Sequence, residues 1–119
     1  MVGVDGESGA LNPEDAKLIT LARSVRARNG TDEGAAVRDL DGRTYTASSV
    51  DLPSLTLSAL DAAVVVAASS GARGLESAAV VTAAQPDDID PGAVTDLGGS
   101  GTPIHVARPD GTPTGLRNA

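Results

Sequence analysis

The sequence has no cysteine, phenylalanine or tryptophan, and Tyr45 is its one aromatic residue. Without cysteine there are no disulfides, no cysteine-held zinc or iron–sulfur cluster, and no thiol nucleophile. Without large aromatic side chains, the core has to be built from alanine, valine, leucine and isoleucine, which makes it thin for a chain of 119 residues. We therefore expect contacts between copies of the chain to add stability.

Basic residues are also scarce. Nine lysines and arginines stand against sixteen acidic residues, which gives a formal net charge of −7. This balance argues against a nucleic-acid partner, because proteins that bind nucleic acids carry a basic patch. Arg23, Arg26 and Arg28 form the one basic group that the sequence brings together, and we interpret them as cations at the end of a helix rather than as a phosphate site.

Long apolar runs are missing as well. The longest lies within residues 62–68 and is far too short to span a bilayer, which predicts that no membrane is involved. The N-terminus is rich in glycine and acidic residues and lacks the apolar core of a signal peptide, so a cytoplasmic location is expected. One lysine against eight arginines, with much alanine and glycine, is typical of a bacterial genome rich in G and C.

The length is that of one domain. We expect residues 1–11 to be a flexible acidic tail, residues 12–116 to form a single domain, and residues 117–119 to be a C-terminal tail. The domain begins with a helix: Asn12 suits the N-cap and Pro13 the first helical position, and Asn29-Gly30 ends it.

Six later segments complete the expected fold. Asp41-Gly42, between the short strands 35–40 and 43–48, predicts a hairpin. Residues 56–71 predict a central helix that is apolar nearly all round and must be buried on several sides. The apolar run 77–84 predicts a strand covered on both faces. The remaining expected elements are a short helix over 90–97, a strand over 104–106, and either a frayed end or an edge strand over 112–119.

This order of elements predicts an α/β fold. We expect a three-layer α/β/α sandwich around a mixed sheet of about four to five strands. The first strand should run antiparallel to a largely parallel remainder, with helices on both faces.

Four motifs then carry a resemblance to a known family. They are residues 41–47 (DGRTYTA), 49–51 (SVD), 55–60 (LTLSAL) and 109–113 (PDGTP). In order and spacing they resemble the DGxxYTG hairpin, the Asn-Val-Glu segment, the Leu-Thr-x-Cys-Ala-Glu segment and the late turn of the small cytidine deaminases, which include blasticidin-S deaminase. The resemblance covers residues 13–116 and implies the cytidine deaminase-like fold.

The resemblance also implies a chemistry whose residues are missing. In that family a zinc ion held by Cys or His activates a water, and a Glu two residues after the first ligand moves protons. Here Ser58 stands at the first ligand and Leu60 at the glutamate, while the other two ligands align with Asp88 and Pro91. A serine hydroxyl is a poor zinc ligand and leucine transfers no proton, so we expect no zinc, no other cofactor and no catalytic residue.

Ligand binding is a separate question, for which we name Ser49, Asp51, Ser58 and Asp88 as candidate residues. Ser49 and Asp51 stand where the resembled family binds the nucleoside sugar through Asn and Glu. The alternative is structural for each of these residues: Ser49 and Asp51 form a polar loop, and Ser58 bonds to the helix backbone. Two further features are not interpreted as metal sites: the lone histidine, His105, and the loop of Asp87, Asp88 and Asp90, whose carboxylates we expect to be solvated.

Three functions remain open. The first is a non-catalytic deaminase-like protein that acts in oligomeric assembly or protein interaction, since the resemblance implies tetramers built through the helices around the active site. Its partner is then a second copy of the chain or another protein. The second is a module that binds a nucleoside without converting it. The third is a cytidine deaminase-type hydrolase with an atypical site.

Overall fold

The computed structural model describes residues 11–119, so most of the expected acidic tail lies outside the described residues. The first helix, α1, spans Pro13–Asn29. It begins as expected: the Asn12 side chain accepts a hydrogen bond from the Asp15 amide at 2.8 Å. It ends at Gly30, which takes the left-handed conformation with φ +65°.

The hairpin predicted at Asp41-Gly42 is present. Strands β1 (Gly34–Asp39) and β2 (Thr44–Ser48) pair antiparallel, and Gly42 has a φ of +88°. Oδ1 of Asp39 accepts hydrogen bonds from the amides of Asp41 and Arg43, both at 2.9 Å, so one carboxylate fixes the turn.

A second, smaller hairpin was not expected from the sequence. Strands β3 (Val50–Leu52) and β4 (Leu55–Leu57) pair only with each other and form a separate two-stranded sheet. It occupies the stretch expected to be a leader into the central helix and the first turn of that helix. The helix, α2, therefore begins later than predicted and spans Ala59–Ser69.

The remaining elements follow the expected order. They are strand β5 (Leu75–Val81), a 3-10 turn (Pro86–Asp88), helix α3 (Gly92–Gly98), and strands β6 (Pro103–Ala107) and β7 (Pro113–Asn118). The expectation of a tail over 117–119 is wrong. Arg117 and Asn118 belong to β7, and the Ala119 amide donates to the carbonyl of Thr102, so the chain end is held at the sheet.

The main sheet has five strands in the order β2-β1-β5-β6-β7. Among the described strands, β2, β5 and β6 run in one direction, and β1 and β7 run in the other. The expected mixed sheet, with the first strand antiparallel to a largely parallel remainder, is therefore confirmed except at β7, which follows β6 through a tight turn and so pairs antiparallel with it.

Helices cover both faces of the sheet, as the three-layer architecture predicts. On one face, α1 packs Leu18, Ile19 and Ala22 against the sheet. On the other face, α2 and α3 pack together in a larger core. Its α2 side chains are Ala59, Leu60, Ala63, Val64 and Ala67, and its α3 side chain is Val94.

One side of α2 is exposed, and α1 lies very close to the start of β1. The outer side of α2 is not buried as expected, because Val65 is 52% and Val66 38% exposed. Helix α1 crosses the start of β1 so closely that a Cβ on Gly34 would overlap the carbonyl oxygen of Ala22. Within residues 11–119, no helix combines the length and apolar character needed to cross a membrane.

Candidate functional site

A cleft of about 560 Å³ opens at the N-terminus of α2. Its walls are the small β3–β4 hairpin, the end of β5 and the loop that precedes β1. The charged residues that line it are Arg26, Asp32, Glu33 and Asp51, and the hydroxyl residues are Ser49, Thr56, Ser58 and Thr82. The cleft thus combines acidic and hydroxyl groups with an apolar lining from Val50, Leu57, Ala83 and Pro109.

Three of the four candidate ligand residues lie in this cleft. Ser49, Asp51 and Ser58 line it together, although they belong to a loop, to β3 and to the residue before α2. Asp88 does not line it. It lies exposed in the 3-10 turn Pro86–Asp88, apart from the other three candidate residues.

Ser58 is the N-cap of α2. Its Oγ accepts a hydrogen bond from the Asp61 amide at 3.1 Å, in the extended conformation that N-caps adopt. This is the structural alternative considered for Ser58, and it leaves the hydroxyl proton available toward the cleft. Two residues along the helix, Leu60 is 3% exposed and packs in the core.

Ser49 is tied to the opposite wall. Its amide donates to the Glu33 carbonyl at 3.1 Å, and its Oγ accepts from the Glu33 amide at 3.2 Å. Asp51, on the small hairpin, is exposed at the rim of the cleft. The cleft therefore has one fixed hydroxyl on this side and one carboxylate that faces solvent.

Glu33 is the residue that sequence reasoning missed. Its Oε1 accepts from the Ala59 amide at 3.2 Å, and its Oε2 accepts from the Thr82 hydroxyl at 2.8 Å. One half-buried carboxylate thus joins the loop before β1 to the N-terminus of α2 and the end of β5. No local sequence pattern indicates this role, because both contacts span more than twenty residues of chain.

The pKa of Asp61 responds to the negative charge of this region. Burial raises the pKa of its carboxyl above the ordinary value, and the charges of Asp90 and Glu33 raise it further. The start of α2 is therefore surrounded by carboxylates that repel one another.

A second polar cluster lies away from the cleft, beneath α1. We call it the α1 cluster: Asp15, Arg38, Glu76 and His105. Asp15 accepts from Arg38 at 2.9 Å through Oδ1 and lies 3.1 Å from His105 Nε2 through Oδ2, while Arg38 also holds Glu76 at 2.6 Å. Burial opposes ionisation of Asp15, but the hydrogen bond from Arg38 and the neighbouring charges outweigh it and lower the pKa of Asp15.

The family assignment comes from a comparison of the whole chain. The family model described as cytidine deaminase-like matches residues 11–111. The chain belongs to the cytidine deaminase-like family. A separate comparison with curated protein sequences finds no match to this chain.

Solved cytidine deaminases share the fold. The enzyme from Burkholderia pseudomallei superposes with a TM-score of 0.70 at 22% identity, over 87% of this chain and 89% of that one. The Mycobacterium leprae enzyme gives 0.64 at 19% identity, over 86% and 90%. The Mycobacterium tuberculosis enzyme gives 0.63 at 27% identity, over 86% and 87%. The expected cytidine deaminase-like fold is thus confirmed.

The zinc that this family implies does not fit the residues present. Zinc deaminases hold the metal through His and Cys and use a nearby Glu as acid and base. In this chain Ser58 Oγ already accepts from a backbone amide, Leu60 is packed in the core, and the one histidine, His105, lies beneath α1 against Asp15. Across residues 11–119, no three His, Cys, Asp or Glu side chains stand close enough to hold a metal ion together.

Proposed function

We propose that this protein is a non-catalytic member of the cytidine deaminase-like family that acts by assembling with further copies of itself. The observation that carries the proposal is the exposed apolar outer side of α2. Val65 and Val66 are 52% and 38% exposed on a helix whose other sides are packed. Leu52 and Leu55, in the small hairpin that precedes α2, are 55% and 50% exposed as well.

The lack of catalysis rests on the first turn of α2. An alcohol at Ser58 stays protonated near neutral pH and competes poorly with a thiolate or imidazole for zinc. Leu60 carries no group that accepts a proton, and its side chain faces the core rather than the cleft. General acid–base catalysis alone contributes about 10²–10⁴-fold in rate, so the loss of the metal donors and the acid together removes the basis of the reaction.

Association is supported by the amount of apolar surface that the isolated chain leaves open. An exposed valine or leucine is ordinary when it stands alone, whereas several on adjoining elements mark a surface for contact. The resemblance to the deaminase family implies self-assembly through the helices around the active site, and α2 is the helix that begins at the cleft. A second copy of this chain is the occupant we propose for this surface.

Sedimentation analysis at micromolar concentration tests the assembly. We expect a mass that is a multiple of 11.8 kDa for the natural chain and 11.8 kDa for the double variant Val65→Asp, Val66→Asp. Leu116→Asp is the matched control, because Leu116 is also about half exposed but lies on the edge strand β7. A natural chain that sediments only at 11.8 kDa contradicts the proposal.

The lack of catalysis has its own test. Purified protein is analysed for zinc and assayed for cytidine deamination by the change in ultraviolet absorbance. We expect no stoichiometric zinc and no turnover. Stoichiometric zinc, or turnover that zinc restores, contradicts the interpretation of Ser58 and favours a hydrolase with an atypical site.

A second candidate function is the binding of a nucleoside without conversion, and the cleft favours it. Its volume of about 560 Å³ is in the range of small-molecule sites, and Ser49, Asp51 and Ser58 bring hydroxyl and carboxylate groups to one place. A ligand that binds only the native state raises the melting temperature. We expect cytidine or uridine at millimolar concentration to do so, and no shift with either nucleoside contradicts this candidate.

A further inference from the structure

The carboxylate of Glu33 occupies a position that would otherwise attract an anion. The amides of the first helical turn point out of the helix and carry partial positive charge, so they bind phosphate and carboxylate groups in many proteins. In this chain the Ala59 amide, the first of α2, donates to Glu33 Oε1 at 3.2 Å. The negative charge at the start of α2 is therefore supplied by the protein from within its own cleft.

The donors that remain in the cleft are few and mostly uncharged. The Asp61 amide donates to Ser58 Oγ, so a second amide of the first turn is also taken. The hydroxyl groups of Ser49 and Ser58 each accept from a backbone amide, and neither donates a hydrogen bond within residues 11–119, so both can donate to a ligand. Among residues 11–119, the one cation that lines the cleft is Arg26, which donates through Nε to the carbonyl of Asp32 at 3.1 Å.

The charged residues that line the cleft also disfavour an anionic ligand. Asp32, Glu33 and Asp51 bring three carboxylates to the wall of the cleft, against the single guanidinium of Arg26. An anion that entered would meet net negative charge and would have to displace Glu33 from Ala59. A ligand rich in amino or hydroxyl groups would instead meet carboxylate acceptors and two hydroxyl donors.

We infer that Glu33 determines the charge selectivity of this cleft. Its carboxylate fills the N-terminus of α2, so the cleft takes uncharged or cationic ligands that carry hydrogen-bond donors and rejects anionic ones. This inference deepens the second candidate function and rests on it for the identity of the natural ligand. The anion-excluding role of Glu33, however, can be measured without that ligand.

The experiment follows the amide signals of Ala59 and Asp61 by ¹⁵N NMR while inorganic phosphate is added at constant ionic strength. In the natural chain we expect no saturable movement of the Ala59 signal at millimolar phosphate. In Glu33→Ala the amide is free, and we expect phosphate to bind there about tenfold or more tightly than in the natural chain. The rest of the spectrum shows whether the variant is folded.

Two further variants keep the test decisive. Asp32→Ala removes the same charge from the same cleft without freeing an amide, so it should bind phosphate far less well than Glu33→Ala. If Glu33→Ala does not fold, Glu33→Gln is compared with Asp32→Asn. Glutamine removes the charge and offers Ala59 an uncharged acceptor, whose hydrogen bond is weaker than that of a carboxylate and is more easily displaced by phosphate. We therefore expect a larger gain in phosphate affinity for Glu33→Gln than for Asp32→Asn.

Three results would overturn the inference. The first is phosphate binding at Ala59 of equal strength in the natural chain and in the Glu33 variant. The second is a folded Glu33→Ala that binds no phosphate, and the third is equal behaviour of the Glu33 and Asp32 variants. Cytidine is titrated in parallel: if it moves no signal of the cleft, the nucleoside function fails, while the phosphate comparison still decides the role of Glu33.

Discussion

The α1 cluster and the cleft are both built from charged and hydroxyl side chains, but they differ in how far those groups are satisfied. In the α1 cluster, both oxygens of Asp15 are engaged and both Asp15 and Arg38 are 8% exposed. In the cleft, Asp51 and Asp32 face solvent, and the hydroxyl groups of Ser49 and Ser58 can still donate a hydrogen bond.

This difference separates two uses of polar groups within one small domain. A closed network ties α1 to the sheet and contributes to stability, because breaking it would leave a charge without a partner. The polar groups of the cleft have fewer partners within the protein, so they can form hydrogen bonds to a ligand. We therefore expect substitutions in the α1 cluster to affect the free energy of unfolding more strongly than substitutions in the cleft.

The largest effect is expected from Arg38→Met. The change keeps much of the side-chain volume but leaves Asp15 with His105 and Asn12 as its remaining side-chain partners. We expect a loss of about 2–3 kcal/mol in the free energy of unfolding, measured by urea denaturation at pH 7. Glu76→Gln is the control: Glu76 has a 55% exposed side chain, so its loss should cost under about 1 kcal/mol. Equal effects of the two variants would contradict the closed network.

The next effect is a dependence on pH. Because the pKa of Asp15 is lowered in the folded state, its ionised form stabilises the fold above the unfolded value of 3.8. This contribution is lost as the pH falls through the folded pKa. We expect Asp15→Asn to lower the free energy of unfolding by about 1.5 kcal/mol at pH 7, which is typical of a hydrogen bond to a charged group. Between about pH 5 and pH 3, where aspartate titrates, the variant should lose less stability than the natural chain. Parallel stability curves for the two proteins would contradict this assignment.

A moderate effect is expected at the cleft from Ser58→Ala. The change removes the N-cap of α2 and should cost about 1 kcal/mol in the free energy of unfolding. Ser58→Asn is the matched variant, because asparagine caps helices as well as serine without adding a charge. Chemical denaturation distinguishes the two. If alanine were tolerated as well as asparagine, Ser58 would not act as the cap.

The smallest effect is expected from Asp61→Asn, and it has the opposite sign. Burial and the nearby Asp90 and Glu33 raise the pKa of Asp61, so its ionised form is less favourable in the folded than in the unfolded state. Asparagine should stabilise the protein by at most about 0.5 kcal/mol at pH 7, with the gain disappearing below the unfolded pKa of 3.8, where the carboxyl is protonated in both states. Thermal melts at pH 7 and about pH 3 measure this, with the exposed Asp96→Asn as control. A gain that persists at low pH would point to another cause.

The sequence predicted those parts of the fold that depend on neighbouring residues. Asn12, Pro13 and Gly30 mark α1 because capping is decided within a few residues. The turn at Asp41-Gly42 was predicted for the same reason. The small hairpin was missed because its strands are three residues long and pair only with each other, so no periodic pattern develops.

The candidate site was predictable only in part. Ser49, Asp51 and Ser58 were named through motifs that keep their spacing in the resembled family, and the structure places them around one cleft. Glu33 gave no signal, since its partner Thr82 is 49 residues away along the chain. His105 and Asp15 are separated by 90 residues, so their contact also depends on the completed sheet.

The close crossing at Gly34 has a consequence for how this domain can diverge. Replacement of zinc-site residues by serine and leucine is compatible with a complete fold, because Ser58 and Leu60 find a cap and a core position of their own. At Gly34 the smallest possible addition, one methyl group, would collide with the backbone of α1. The fold therefore accommodates these two side chains at the start of α2, whereas at position 34 it accommodates no side chain at all.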